Sequence, residues 1–416
     1  MMAAVVFVLL PIVSMSNNVV TASGATMAAR PYAFGTLQTA AATAPAESSV
    51  GVKVAELTVG WDLYEPQEGV FNTAYAAQMK QQLQAFQAAG MQVVLGLALH
   101  YPPAWVFSYP NSRYVDQFGG TTDEVNLVFN QTLREKAQAF IARVNEDLGL
   151  NSFWAVRITS GGDAEVLFPA ETADGTHGND YWAYDANAQG GVDRPGTIPA
   201  PPLPGWRPGA TTCNGQPVAV AQVQQWYDWY VGALVDSVNW QIQTYRSLGY
   251  SGFLQILTPG LGVRPSDYAN STNAYLNGEG DSNDTMGRGA AWYMVYPAIA
   301  DRTNVVAYIS SIADGSGEND VCQASDQSVS LNDPVVNNWS AVRWISYLAD
   351  KYGLPKNGEN PDAGVAGYGT AMMQAAVRQM QACGLQGMIW AFDSNLWNNT
   401  ADTSLASYVA VINQYQ

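Results

Sequence analysis

The chain is 416 residues long, enough for one large domain or two ordinary ones, and 48% of it is apolar, which suits a large core. Only 13% of residues are charged and the formal net charge is −17, which argues against nucleic acid or an anionic membrane as a partner but does not repel a neutral sugar. The 13 Trp and 22 Tyr exceed what a core needs, and the surplus suits stacking on sugar rings.

The first residues read Met1-Met2-Ala3-Ala4-Val5-Val6-Phe7-Val8-Leu9-Leu10-Pro11-Ile12-Val13. This apolar run is too short to span a bilayer and reads as the core of a signal peptide, although a positive n-region is missing. Small residues at Ala22-Ser23-Gly24-Ala25 or Ala28-Ala29 offer a cleavage site. The expectation is a leader over 1–28, a mature chain over 29–416, and a secreted, extracellular protein with no membrane association once the leader is removed.

Strands are predicted at Tyr32–Thr36, Val54–Trp61, Gln92–His100, Trp154–Thr159, Phe253–Thr258, Val305–Ile312, Leu354–Glu359 and Gly387–Phe392. The seventh is weak by composition, and its place is inferred from the helices on either side. Asn72 caps a predicted helix carrying Met79, Leu83 and Phe86 and closed by Gly90; a second carries Leu133, Ala137, Phe140, Ile141, Val144 and Leu148 and is closed by Gly149. Further helices are predicted near Gln222–Leu248, Gly289–Ile299, Trp339–Tyr352, Thr370–Ala382 and Leu405–Gln414. Eight strands with interleaved helices give an α/β protein, most simply a closed (β/α)8 TIM barrel with long loops at its C-terminal face. An open doubly wound sheet is the alternative, disfavoured because no GxGxxG follows the first strand. Ala183–Gly215, rich in Pro and Gly, is a long loop after strand four.

Three cysteines make no framework. Cys213 and Cys322 fall in loops on one barrel face and are the candidate disulfide pair, while Cys383 closes a helix and reads as buried and free. Asn-x-Ser/Thr sequons begin at Asn130, Asn270, Asn283, Asn338 and Asn398.

Strand four runs into Ser160-Gly161-Gly162-Asp163-Ala164-Glu165, and strand seven ends in Lys356-Asn357-Gly358-Glu359-Asn360-Pro361. Two carboxyl groups facing each other across a barrel mouth can cleave a glycosidic bond. The acid of such a pair must be protonated near neutral pH, and Asp163 and Glu359 are charges that would raise the Glu165 pKa. The partner must stay ionised, and Asn360 and backbone donors would favour that.

Two further segments carry a resemblance. Strand two continues as Trp61-Asp62-Leu63-Tyr64-Glu65-Pro66-Gln67-Glu68-Gly69-Val70-Phe71, and strand three as His100-Tyr101-Pro102-Pro103-Ala104-Trp105. Over about Ala55–Gly120 the chain resembles clan A glycoside hydrolases, closest to the family 42 β-galactosidases. The resemblance implies an acid/base glutamate after strand four and a nucleophilic glutamate after strand seven, positions matched by Glu165 and Glu359. Ala164 departs from the Asn that usually precedes the acid/base and binds the sugar 2-hydroxyl. The stretch Gly161–Pro169 instead looks like the surroundings of the acid in the inverting β-amylases of family 14.

The remaining candidates are substrate contacts. Trp61, Trp105, Trp206 and Trp390 are expected in top-face positions, where they would stack on a pyranose or pack in the barrel. His100, Asp163, Asp314, Asn360 and Asp393 are candidate partners for sugar hydroxyls. Glu65 and Glu68 read as structural turn residues, and His177 as an exposed loop residue. No Cys/His cluster suggests zinc, and Asp281 and Asp284 lack the Gly and Glu of an EF-hand loop, so no metal or cofactor is expected. The reading is a retaining glycoside hydrolase acting on a carbohydrate. Its rivals are an inverting β-amylase-like α-glucan hydrolase and a barrel that binds carbohydrate without cleaving it.

Overall fold

The computed structural model describes residues 33–159, 165–170, 179–277, 285–314 and 319–415. The expected leader, Asp163, His177, Asp281, Asp284 and the sequon at Asn283 lie outside the described residues. Eight parallel strands close into a barrel: β1 (Ala33–Thr36), β2 (Val54–Gly60), β3 (Gln92–Ala98), β4 (Ala155–Ile158), β5 (Phe253–Thr258), β6 (Val305–Ile309), β7 (Lys356–Glu359) and β8 (Gly387–Trp390). Each pairs with its sequence neighbours, and β8 returns to β1 through the register Ala33↔Gly387 to Thr36↔Trp390. This is the (β/α)8 barrel expected from the strand–helix alternation.

The helices form for the reasons read from the sequence. Thr73–Ala88 is capped by Asn72, whose side chain accepts from Tyr75 N, and it buries Ala76, Met79, Leu83 and Phe86. Gln131–Leu148 is capped by Asn130 and buries Leu133, Ala137, Phe140, Ile141, Val144 and Leu148. Because Asn130 is fully buried and its amide donates to Pro110 O and Asn111 O, its sequon cannot carry a glycan in this fold. Three more helices span Val220–Ser247, Ala341–Tyr352 and Thr370–Cys383. The element expected at Gly289–Ile299 is shorter, a helix at Trp292–Val295 followed by a 3₁₀ turn at Tyr296–Ala298, where Pro297 cannot continue the backbone ladder.

The polar strand β7 is explained by its neighbours. All four residues of Lys356–Glu359 are buried, and the ladder runs to β6 at Ala307↔Lys356 and to β8 at Gly358↔Met388. A Cβ at Gly358 would lie 2.1 Å from Ile309 O, so only glycine lets β6 and β7 approach here. Lys356 is accommodated by an ion pair with Asp350 at 2.6 Å. Two hairpins were not anticipated, Arg113–Val115 with Thr121–Val125 and Thr212–Cys213 with Gln216–Pro217. The tip of the second is Asn214-Gly215, with φ of 50° and 75°, a readable turn signal.

The expected Cys213–Cys322 pair does not form. The disulfide joins Cys322 to Cys383, with Cα atoms 4.9 Å apart, and Cys213 is free. Cys213 is held in its hairpin, its Sγ beside Pro204 O at 3.7 Å, whereas the loop after β6 lies against the end of the Thr370–Cys383 helix. The loop closed by this bond spans a separation of 61 residues. Replacing both cysteines by alanine should therefore lower the unfolding free energy by about 3 kcal/mol in guanidinium titrations, while Cys213→Ala should leave it unchanged.

Candidate active site

Side chains alternate along each strand, one set facing the helices and the other the barrel interior. The lower interior is apolar, a cluster that includes Val54, Val94, Ala155, Leu257 and Ile389. Above it the inward positions turn polar, with Glu56 on β2, Arg157 on β4, Tyr308 on β6 and Glu359 on β7. They face or underlie a cavity of about 700 Å³ at the C-terminal end of the strands, lined among others by Glu56, Thr58, His100, Arg157, Glu165 and Glu359. Both glutamates singled out from the sequence therefore face one cavity.

Glu359 is 8% exposed and tightly held. Arg157 Nη2 donates to both of its oxygens, at 3.1 and 3.0 Å, and Tyr308 Oη donates to Oε2 at 2.7 Å. These charge-assisted hydrogen bonds fix the carboxyl group in place. Burial opposes the charge on Arg157, but Glu359, Tyr308 and Glu56 outweigh it and hold the guanidinium pKa above its ordinary value. The Tyr308 hydroxyl is pushed well up by burial and then by the charge of Glu359, so it stays a donor. Arg157 also lies 5.2 Å from the Tyr308 ring centroid.

Glu165 is half-buried and accepts from Ser310 Oγ at 2.6 Å. Its neighbour Val166 donates from N to Leu257 O at 3.1 Å, which ties this loop to the end of β5. Ser310 and Tyr308 lie two residues apart on one face of the β6 chain, roughly 7 Å along a strand. Their hydroxyls grip the two glutamates, one each.

The other candidates divide. His100 and Asn360 line the cavity. Asn360 is fixed by accepting from Ala391 N at 3.0 Å, and the His100 ring lies 4.2 Å from that of Tyr101, itself 61% exposed at the cavity rim. The four tryptophans do not line it. Trp61 is fully buried, stacked on Phe140 at 5.5 Å, and donates to Glu65 Oε2. Trp105 packs edge-on against Trp61 and donates to Glu65 O, which bears out Glu65 as a turn-organising residue. Trp206 is buried against Trp226, and Trp390 against Tyr368 and Tyr408. Asp314 is not among the cavity-lining residues. Residues missed from the sequence are Glu56, Thr58, Tyr101, Arg157, Ser310 and Phe392. A charged residue inside an apolar strand run, as at Glu56 and Arg157, was the available signal. Among the described residues no group of three or more His, Cys, Asp or Glu is arranged to hold a metal ion.

Asp393 is likewise not among the cavity-lining residues. It is buried, its Oδ2 accepts from Ala40 N at 3.0 Å, and burial together with nearby Glu47 pushes its pKa up to about 7. An acid raised in this way contributes stability that is complete below its unfolded pKa, near 3.9, and is lost as pH rises toward 7. Asp393→Asn, which keeps a neutral side chain, should be more stable than the wild type at pH 8 and lose that advantage at pH 4, as read from denaturant midpoints.

Residues 44–149 match the family model of glycoside hydrolase family 42, described as beta-galactosidase. The fold is similar to that of the catalytic domain of beta-amylase from Paenibacillus polymyxa, with a TM-score of 0.62 and 13% identity over 94% of this chain and 100% of that one. It is also similar to beta-galactosidases from Marinomonas ef1 (TM-score 0.54, 10% identity) and the Antarctic haloarchaeon Halorubrum lacusprofundi (TM-score 0.54, 14% identity), each over 92% of this chain and 58% of the other. No curated protein matches the chain. The family match covers about a quarter of the chain, the part that holds the Trp61–Phe71 and His100–Trp105 segments, and the solved structures share its barrel fold.

Proposed function

We propose that this protein is a secreted, retaining glycoside hydrolase that cleaves O-glycosidic bonds of an oligo- or polysaccharide, with a β-galactoside as the leading substrate class. The observation that carries the reading is the placement of Glu165 and Glu359 on one cavity, with Glu359 hydrogen-bonded to Arg157 and Tyr308. Glu359 attacks the anomeric carbon as the leaving oxygen takes a proton from Glu165. Glu165, now a carboxylate, then draws a proton from water, which displaces Glu359 and restores the sugar configuration. The match of residues 44–149 to a family described as beta-galactosidase supports the substrate class.

A second reading assigns Glu359 as a base that activates water, with inversion. It is supported by the β-amylase-like Gly161–Pro169 stretch and by the barrel shared with the P. polymyxa domain. Proton NMR in the first minutes of hydrolysis separates the two: retention supports the first, and the inverted anomer moves Glu359 to the base role. In both, Glu359→Gln should cut turnover roughly 10⁴-fold or more. Under the retaining mechanism alone, Glu165→Gln should spare the first step on substrates with activated leaving groups, and azide should rescue Glu165→Ala by taking the vacated space.

The secretion part of the proposal is supported by the apolar run Val5–Val13 and by the Cys322–Cys383 disulfide, a bond of oxidising compartments. Expression in the native host should yield protein in the medium with a mass corresponding to a start near residue 29. Uncleaved protein retained inside cells would refute it.

A further inference from the structure

The proposed reaction uses two carboxyl groups, yet a third faces the same cavity. Glu56 on β2 is 4% exposed; its Oε2 accepts from Gln38 N at 3.0 Å and its Oε1 from Thr58 Oγ1 at 2.8 Å. Glycine at position 96 makes the room, because a Cβ there would lie 2.4 Å from Glu56 Oε1. A buried carboxyl is costly to keep. The charged and titratable groups around it are Arg157 from β4, Glu359 from β7 and Tyr308 from β6, with Gly96 of β3 and the Gln38 backbone beside it, and His100 and Glu165 line the same cavity. Burial raises the Glu56 pKa, Arg157 opposes that, and Glu359 adds to it.

The cluster thus holds one guanidinium for two carboxyl groups. Arg157 engages Glu359 through Nη2 alone, and its Nε has no hydrogen-bond partner among the described residues. When a Glu359 oxygen bonds to the anomeric carbon, the C–O bond to the leaving group breaks and its electron pair is protonated by Glu165. Glu359 then passes from −1 to a neutral ester, and a buried guanidinium loses its counter-ion, a costly state. The same loss follows if Glu359 instead takes a proton from water.

We propose that Glu56 is a positioning residue that supplies the counter-charge to Arg157 while the negative charge of Glu359 is consumed. This rests on the assignment of Glu359 as the group that loses its charge.

Two measurements on the full chain test it. The first needs no substrate. Glu359→Gln imitates the neutralised glutamate, so carboxyl ¹³C NMR should show Glu56 titrating about one pH unit lower in that variant than in the wild type. The second uses 2,4-dinitrophenyl β-galactoside, whose leaving group needs no proton. Here kcat/KM of the wild type should fall on the acid side as Glu56 protonates. Glu56→Gln should lower kcat/KM about tenfold and shift that limb, leaving only the one set by the nucleophile, whereas Glu56→Asp, which keeps the charge, should retain it. If Glu56→Gln fails to fold, the aspartate variant and the titration still decide. An active wild type whose Glu56→Gln variant stays within twofold with an unchanged acid limb would overturn the inference alone. An unshifted Glu56 midpoint in Glu359→Gln would overturn it as well. A wild type inert toward aryl glycosides, with an unshifted Glu56, would remove the functional reading and the inference together.

Discussion

The ion pair between Arg157 and Glu359 is the constraint on which the upper half of this barrel depends. Neither charge can stand alone inside a closed sheet, because breaking a buried pair leaves an uncompensated ion. Their union brings β4 and β7 into one chemical unit across the barrel, and Tyr308 completes it from β6. Two residues further along, Ser310 holds Glu165. The same strand face thereby positions both carboxyl groups, and the cavity forms around them.

That arrangement explains the split between the two ends of the barrel interior. The lower end is filled by Val54, Val94, Ala155, Leu257 and Ile389, as a packed core requires. The upper end carries polar and charged residues that could not be buried singly and are buried only as a network. The abundant tryptophans serve a different purpose from the one their number suggests. Trp61, Trp206 and Trp390 lie in layers outside the cavity, and the long loop after β4 is pinned by a cluster of Trp206, Trp226 and Tyr230. A loop of that length needs a core of its own, and large aromatic side chains provide the most buried area per residue.

Much of the fold was legible in the residues. The cap Asn72, the two apolar stripes and the closing glycines Gly90 and Gly149 mark two helices, because capping and periodicity act within a few positions of the chain; the Asn130 cap of the second was not read from the sequence. The polar β7 was placed only by its flanking helices, since its stability comes from β6 and β8 and from a glycine contact that no local pattern reveals. The disulfide was misread for a related reason. Cys213 and Cys322 share a barrel face by strand counting, but pairing requires Cα atoms within a few ångströms, and it is Cys383 that stands there.

The sequence by itself determined the strand–helix alternation, the closed barrel and the two glutamates after strands four and seven, because each is written in local pattern and in chain order. Tertiary structure alone decided what surrounds those glutamates. Arg157, 202 residues from Glu359 along the chain, and Glu56, another hundred residues earlier, meet only because parallel strands converge on one axis. That the four candidate tryptophans pack outside the cavity was likewise settled by the rotation of each side chain about its strand or loop, a property of the closed sheet that no single segment contains.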